Sequence, residues 1–120
     1  MREILFRGKT DKGEWVVGNL MVYYDGSASI IESSTSLNTF HVIFPETVGQ
    51  YIGFTDKNGK KIFEGDIVKM HLMDCADIGF IRYNNECCRF QFVSNSVGYA
   101  FDDTDIMEVI GNIYDNLELI

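Results

Sequence analysis

The sequence predicts a mainly β protein built of small antiparallel, barrel-like sheets, with one short helical turn near residues 45–49. Three observations predict it. The apolar segments are short, rich in β-branched and aromatic residues, and cut by Gly, Asn and Asp, as half-buried strands are. No window of twelve or more residues carries a clean helical stripe. There is one proline, Pro45, so little forbids strand pairing elsewhere.

The expected strands are 4–7, 15–24, 29–32, 39–44, 51–55, 61–63, 67–72, 79–83, 89–94, 99–101 and 107–114. Lys12-Gly13 ends the polar stretch after the first. Asp25-Gly26 separates Tyr23-Tyr24 from Ile30-Ile31 and signals a hairpin. Asn58-Gly59 is the strongest turn signal, because both residues tolerate the positive φ of a type I′ turn. That turn would pair Lys57 with Lys60 and set Phe54 opposite Phe63; a G1-bulge turn would shift the register by one. Pro45-Glu46-Thr47-Val48-Gly49 has Pro at its start and Gly at its end, hence the helical turn. The Ser/Thr/Asn stretch at 32–39 reads as a loop within one domain, 1–120. Asp102 to Asp105 could cap a short helix, but Ile106-Met107-Glu108-Val109-Ile110 reads better as a strand. The expected core is Ile4, Phe6, Trp15, Val17, Leu20, Val22, Val42, Phe44, Ile52, Phe54, Ile62, Ile67, Phe80, Phe90, Phe92, Val109 and Ile113.

A faint internal echo runs through the chain. Gly8-x-Thr10-Asp11-Lys12-Gly13 resembles Gly53-x-Thr55-Asp56-Lys57-Asn58-Gly59. Gly18-Asn19-Leu20, Gly65-Asp66-Ile67 and Gly111-Asn112-Ile113 repeat at spacings of 47 and 46. Such punctuation is common at strand starts, so chance is the favoured explanation and a duplicated β unit the alternative.

Composition narrows the function. With 120 residues, 46% hydrophobic and 13% aromatic, the chain is no disordered acidic tail. No apolar run is long enough for a membrane-spanning helix, and no charged start followed by an apolar stretch suggests a secretory signal. Cys75, Cys87 and Cys88 are an odd set with two adjacent, a poor disulfide framework; reduced thiols in a cytoplasm fit better. The net charge of −8 is uneven. Residues 1–70 hold nine acids and eight bases, whereas residues 71–120 hold nine acids and only Arg82 and Arg89. The second half lacks the basic cluster that a polyanion would need.

Each candidate chemistry has a plainer reading beside it. His71, Cys75, Cys87 and Cys88 have zinc-binding donors but no C-x-x-C spacing. Neighbours on a strand point to opposite faces, so Cys87 and Cys88 are expected as one buried and one exposed thiol. Asp102, Asp103 and Asp105 could hold a hard cation. The EF-hand positions counted from Asp103 fall on Glu108 and Tyr114, however, so a solvated acidic turn is expected. Glu64 and Asp66 share a strand face and could do acid–base work, but they more simply end a hairpin. Nucleophile elbows and phosphate-binding glycine loops are missing from the sequence. No enzyme activity, cofactor or metal is therefore expected. Lys57, Lys60, Lys61 and Lys69 near Tyr51, Phe54 and Phe63 are the one handle for nucleic acid.

Three segments together resemble the YopX family. They are Arg2-Glu-Ile-Leu-Phe-Arg with Trp15-Val-Val-Gly18, the central Tyr51-Ile-Gly-Phe-Thr-Asp-Lys-Asn-Gly-Lys-Lys-Ile-Phe-Glu-Gly-Asp-Ile-Val68, and the tail Glu108-Val-Ile-Gly-Asn-Ile-Tyr-Asp-Asn116. They stand in the family's order and cover nearly the whole chain. The resemblance implies a small, mainly β protein of phages and prophages, usually in Firmicutes, without an established activity or catalytic residues. Family members often have Pro after the final Asn, where this chain has Leu117. Read from the residues alone, Gly-Asp-Ile-Val-Lys followed by Gly79-Phe-Ile-Arg-Tyr83 is strand, loop, strand, as in SH3-like barrels. That likeness gives the C-terminal half SH3-like character and no function.

The expectation is then a non-enzymatic phage or prophage accessory protein in the host cytoplasm that binds a host or phage protein; its acidic second half is either the binding face or only solubilising. Self-association through sheet edges or the apolar tail at 117–120 is the other partner open to it. A nucleic-acid-binding barrel using the Lys57, Lys60 and Lys61 hairpin is the alternative. The candidate binding residues are Lys57, Lys60, Lys61, Asp102, Asp103 and Asp105.

Overall fold

A computed structural model describes residues 2–33 and 37–120. Its strands are β1 (Phe6–Lys9), β2 (Trp15–Val22), β3 (Ala28–Ser33), β4 (Asn38–Ile43), β5 (Gly49–Thr55), β6 (Lys61–Phe63), β7 (Asp66–His71), β8 (Ala76–Asn84), β9 (Arg89–Ser94), β10 (Val97–Tyr99) and β11 (Ile106–Asn112). Short 3₁₀ turns at Pro45–Thr47 and Leu117–Leu119 are the helical content among the described residues. The first falls inside the stretch where Pro45 predicts a turn; the second carries no sequence signal. The stretch expected as a loop at 32–39 is shorter than that, because Glu32 pairs with Thr39 and Ser33 with Asn38. Its centre, 34–36, lies outside the described residues.

Backbone contacts group the chain into two units, Met1–Tyr51 and Ile52–Ile120, where the sequence suggests one domain. In the first, the hydrogen-bonded order is β4-β3-β2-β1-β5. The end of β4 bends back to bridge β1: Thr10 pairs with Ile43, and the Phe44 N–H donates to the Lys9 carbonyl at 2.9 Å. Thr47 of the 3₁₀ turn accepts the Lys9 N–H on its hydroxyl, also at 2.9 Å. The second unit contains a meander with β11 returned beside β7, in the order β10-β9-β8-β7-β11. Each unit thus runs four strands as a meander and lays a fifth against its first, the order that an SH3-like barrel requires.

A shared steric detail accompanies the shared order. Gly18 in β2 and Gly79 in β8 each sit in the second strand of their unit, facing the third strand so closely that a Cβ would overlap a backbone carbonyl, of Ile31 and Val93 respectively. The sequence echo at Gly18, Gly65 and Gly111 marks non-equivalent places instead. Gly18 lies within a strand, Gly65 in a tight turn and Gly111 at a bulge in β11.

The hairpin turns repeat as well. Thr10, Tyr23 and Asp56 each donate their N–H to the residue four ahead and accept the N–H of a glycine three ahead, at 2.7–3.0 Å. Those glycines, Gly13, Gly26 and Gly59, have φ of 82°, 90° and 82°. This is the three-residue loop with a G1 bulge. The type I′ expectation at Asn58-Gly59 is therefore corrected: the loop is Lys57-Asn58-Gly59, and Asp56 rather than Lys57 faces Lys60. Asp56 selects this turn, because its Oδ1 accepts the N–H groups of Asn58 and Lys60 at 2.9 Å.

Two cores result. Ile62, Val68, Met70, Ile81, Phe92 and Met107 form the core of the second unit, with Ile52, Phe54, Phe90, Phe101 and Val109 packed against them. In the first, the core is Val16, Ala28, Ile30 and Ile43, with Phe6, Leu20 and Val48 beside it. Here the expected faces are corrected. Val17, Val22, Val42, Phe44 and Ile4 are exposed. Trp15 is half-buried on the outer face, stacked under Arg7 and Lys9, whose charges lie 4.8 and 5.9 Å from its ring centre. The reason is that 15–17 and 42–44 are apolar on both faces, so alternation alone does not choose a side.

Two consequences test this assignment in urea unfolding. Ile43, 4% exposed, should lose about 2–4 kcal/mol on truncation to Ala, while neighbouring Val42, 72% exposed, should lose no more than about 0.5. Equal losses would put the wrong face inward. Gly79→Ala should cost about 1–3 kcal/mol, because the added methyl meets backbone rather than a yielding side chain.

Candidate functional site

The six residues singled out by sequence occupy two loops of the second unit that both reach β11. Lys57, Lys60 and Lys61 belong to the β5–β6 hairpin; Asp102, Asp103 and Asp105 belong to the turn leading into β11. Asp56 joins the hairpin to the strand. Its side chain, 7% exposed, accepts a third N–H, from Val109, on Oδ2 at 3.0 Å, while the Lys57 N–H donates to the Met107 carbonyl at 2.9 Å. Desolvation pushes the Asp56 carboxyl up. The N–H donors of Val109, Lys60 and Asn58, with the Lys60 charge, outweigh that and hold it below its ordinary value.

The lysines face acids of their own chain. Lys57 Nζ lies 3.7 Å from Glu108 Oε1, which also has His71 Nε2 at 3.9 Å and Lys69 directly across the ladder. At 3.9 Å the His71 contact is too long for a hydrogen bond.

The acidic turn is exposed and organised by its own side chains. Asp102 Oδ1 accepts the Thr104 N–H at 2.8 Å and its hydroxyl at 2.5 Å, and Asp105 Oδ2 accepts the Asp102 N–H at 2.9 Å. The Thr104 hydroxyl, then its N–H, lower the Asp102 carboxyl against a smaller opposing desolvation. Against the turn lie Gly53, Phe54 and Thr55 of β5, and Phe54 meets Phe101 edge-on with centroids 5.9 Å apart.

Other sequence candidates resolve into scaffold. Asp66 is buried and accepts the Phe63 N–H at 2.8 Å, while Glu64 accepts the Tyr83 N–H at 3.2 Å. Asp66 pairs with Asn112, and the Ile113 N–H donates to the Gly65 carbonyl at 2.9 Å, so the central and tail motifs interlock. Cys87 and Cys88 are both exposed, correcting the expectation of one buried thiol. They lie in the turn between β8 and β9, where strand alternation does not operate. No group of three His, Cys, Asp or Glu with metal-binding geometry occurs among the described residues. No helix among them is long and apolar enough to cross a membrane.

Sequence reasoning missed one surface. On the outer face of the first unit, the register lines up Met21, Ser29 and Val42, then Asn19, Ile31 and Phe40. The Tyr23 hydroxyl bonds Ser29 Oγ at 3.2 Å and roofs one end. Met21, Phe40, Val42 and Tyr23 are all exposed there. The doubly apolar pattern of β2 and β4 is the available signal, and alternation alone places Val22 and Val42 in the expected core.

Against known proteins, the family model described as YopX protein matches residues 5–120. A solved structure, that of protein EF1440 from Enterococcus faecalis, is similar over 99% of this chain and 99% of its own, with 24% identity and a TM-score of 0.60. That likeness concerns the fold. No curated protein matches the chain.

Asp56→Asn should cost about 2–3 kcal/mol in urea unfolding, because an amide cannot accept all three N–H groups and one buried donor loses its partner. The wild-type carboxyl is lowered in the folded state. Its contribution is complete above the ordinary value of 3.8 and is lost as pH falls from there through the lower folded value. The difference between wild type and Asp56→Asn should shrink over that acid range. A constant difference would remove the carboxylate from the argument.

Proposed function

The chain belongs to the YopX family, and from that premise we propose that it is a phage- or prophage-encoded accessory protein, non-enzymatic, whose acidic second half binds a basic protein. One observation carries this reading: the charges of the second half are unequally compensated. Lys57 lies against Glu108, so part of the small basic set is engaged within the chain. The exposed turn of Asp102, Asp103 and Asp105 draws its order from Thr104 and its own backbone. Residues 71–120 hold nine acids to two bases, a field that attracts basic partners and repels polyanions.

The alternative, a nucleic-acid-binding hairpin, draws less support from the same geometry, since Lys57 already meets a carboxylate. A second copy of the chain, meeting through the outer apolar face of the first unit, is the other partner this reading admits.

The test is retention of bacterial lysate proteins on the immobilised full chain across a salt series. A variant with Asp102, Asp103 and Asp105 all changed to Asn serves as comparison. Basic proteins should be retained by the wild type, released as salt rises, and retained less by the variant. Single- and double-stranded oligonucleotides should leave fluorescence anisotropy unchanged. Retention of nothing above background at any salt would overturn the proposal, as would oligonucleotide binding abolished by Lys60→Glu with Lys61→Glu.

A further inference from the structure

Two cross-strand pairs of the second unit frame a pocket of about 370 Å³. Met70 stands opposite Asp77, and Phe92 opposite Tyr99, so each pair sets one buried apolar residue beside one that reaches the rim. Met70 and Phe92 are 6% and 3% exposed and form the floor; Leu72 and Tyr99 are half open to solvent and form walls. Asp105 arrives from the acidic turn, and no Lys, Arg or His lines the space.

The two carboxylates are held in place. Ser94, itself buried, donates its hydroxyl to Asp77 Oδ1 at 3.0 Å. The Asp102 N–H donates to Asp105 Oδ2 at 2.9 Å. Each carboxylate thus has one anchored oxygen, while the other oxygen has no hydrogen bond or ion pair among the described residues.

We propose that this pocket receives a lysine or arginine side chain from a basic partner protein, its aliphatic stem on Met70, Phe92 and Leu72 and its charged head between Asp77 and Asp105. The choice of occupant follows from complementarity. An anion would meet two carboxylates and no base. A purely apolar group would desolvate both carboxylates and return nothing to them. No third His, Cys, Asp or Glu among the described residues joins the two carboxylates to hold a metal ion. A long cationic side chain satisfies both halves, because its stem is apolar and only its end is charged. The surrounding charge of residues 71–120 steers such a segment inward. The inference rests on the protein-binding reading above and adds the residue type recognised and the place where it seats.

The test is an NMR titration of the full chain with Nα-acetyl-lysine N-methylamide and its arginine counterpart. The norleucine analogue serves as a probe with the stem and no charge. The cationic probes should give saturable shifts at the methyl groups of Met70 and Leu72 and the ring of Tyr99; norleucine should not. Asp77→Asn and Asp105→Asn keep an acceptor for Ser94 and for the Asp102 N–H, so both should fold with the wild-type unfolding midpoint while raising Kd fivefold or more. Asp25→Asn, in the first unit, removes the same charge and should leave Kd unchanged.

A peptide with lysines alternating with glycine should bind more tightly than the single residue, and its fully acetylated form should not bind. Equal binding by norleucine, shifts confined to other residues, or full affinity in both pocket variants would overturn the assignment. So would butylammonium binding as tightly as the peptide, which would make the site one for a free amine. Salt-sensitive retention of basic proteins together with silent pocket probes would sink this inference alone.

Discussion

Burying a carboxylate is costly unless donors surround it, and Asp56 meets that condition with three backbone N–H groups. Two come from its own turn and one from β11, fifty-three positions further along. The same side chain therefore selects the turn and fixes where the hairpin stands against the strand. With the hairpin placed, Lys57 falls beside Glu108, and the loop before β11 is left to carry the acidic turn. The basic hairpin and the acidic turn both reach β11, and Asp56 is the group that ties the hairpin to that strand.

Much of the architecture is legible in the residues because it depends on local chemistry. All eleven expected strands occur, those at 61–63 and 89–94 without change, since turn residues delimit them sharply. Pro45 announces its 3₁₀ turn. What the residues do not disclose is which way a strand faces when both faces are apolar. Trp15, Val17 and Val42 look like interior residues, yet the inward side belongs to Val16, Ala28, Ile30 and Ile43. The choice is made by pairing partners distant in sequence, and Gly18 continues the alternation through β2 instead of resetting it.

The candidate groups show the same division. Their membership in a basic hairpin and an acidic turn is visible in the sequence. Their electrostatic circumstances are not, because Glu108 reaches Lys57 only through the fold, and Thr104 orders Asp102 only once the turn forms. The pocket of Met70 and Phe92 is further still from the sequence. Its lining comes from β7, β8, β9, β10 and the following turn, with no spacing that would suggest a common cavity. The family's motifs, by contrast, mark the scaffold: Asp66 pairs with Asn112, and Gly65 accepts the Ile113 N–H.

The placement of the fifth strand beside the first has a consequence for biosynthesis. A ribosome delivers the first strand of each unit three strands ahead of the one that covers it. β1 waits through β2, β3 and β4 for β5, and until β8, β9 and β10 have been followed by β11 a bare edge runs along β7, an invitation to neighbouring chains. Lys69 and His71 lie along that strand, and a polar residue on a waiting edge is a safeguard against co-translational clumping.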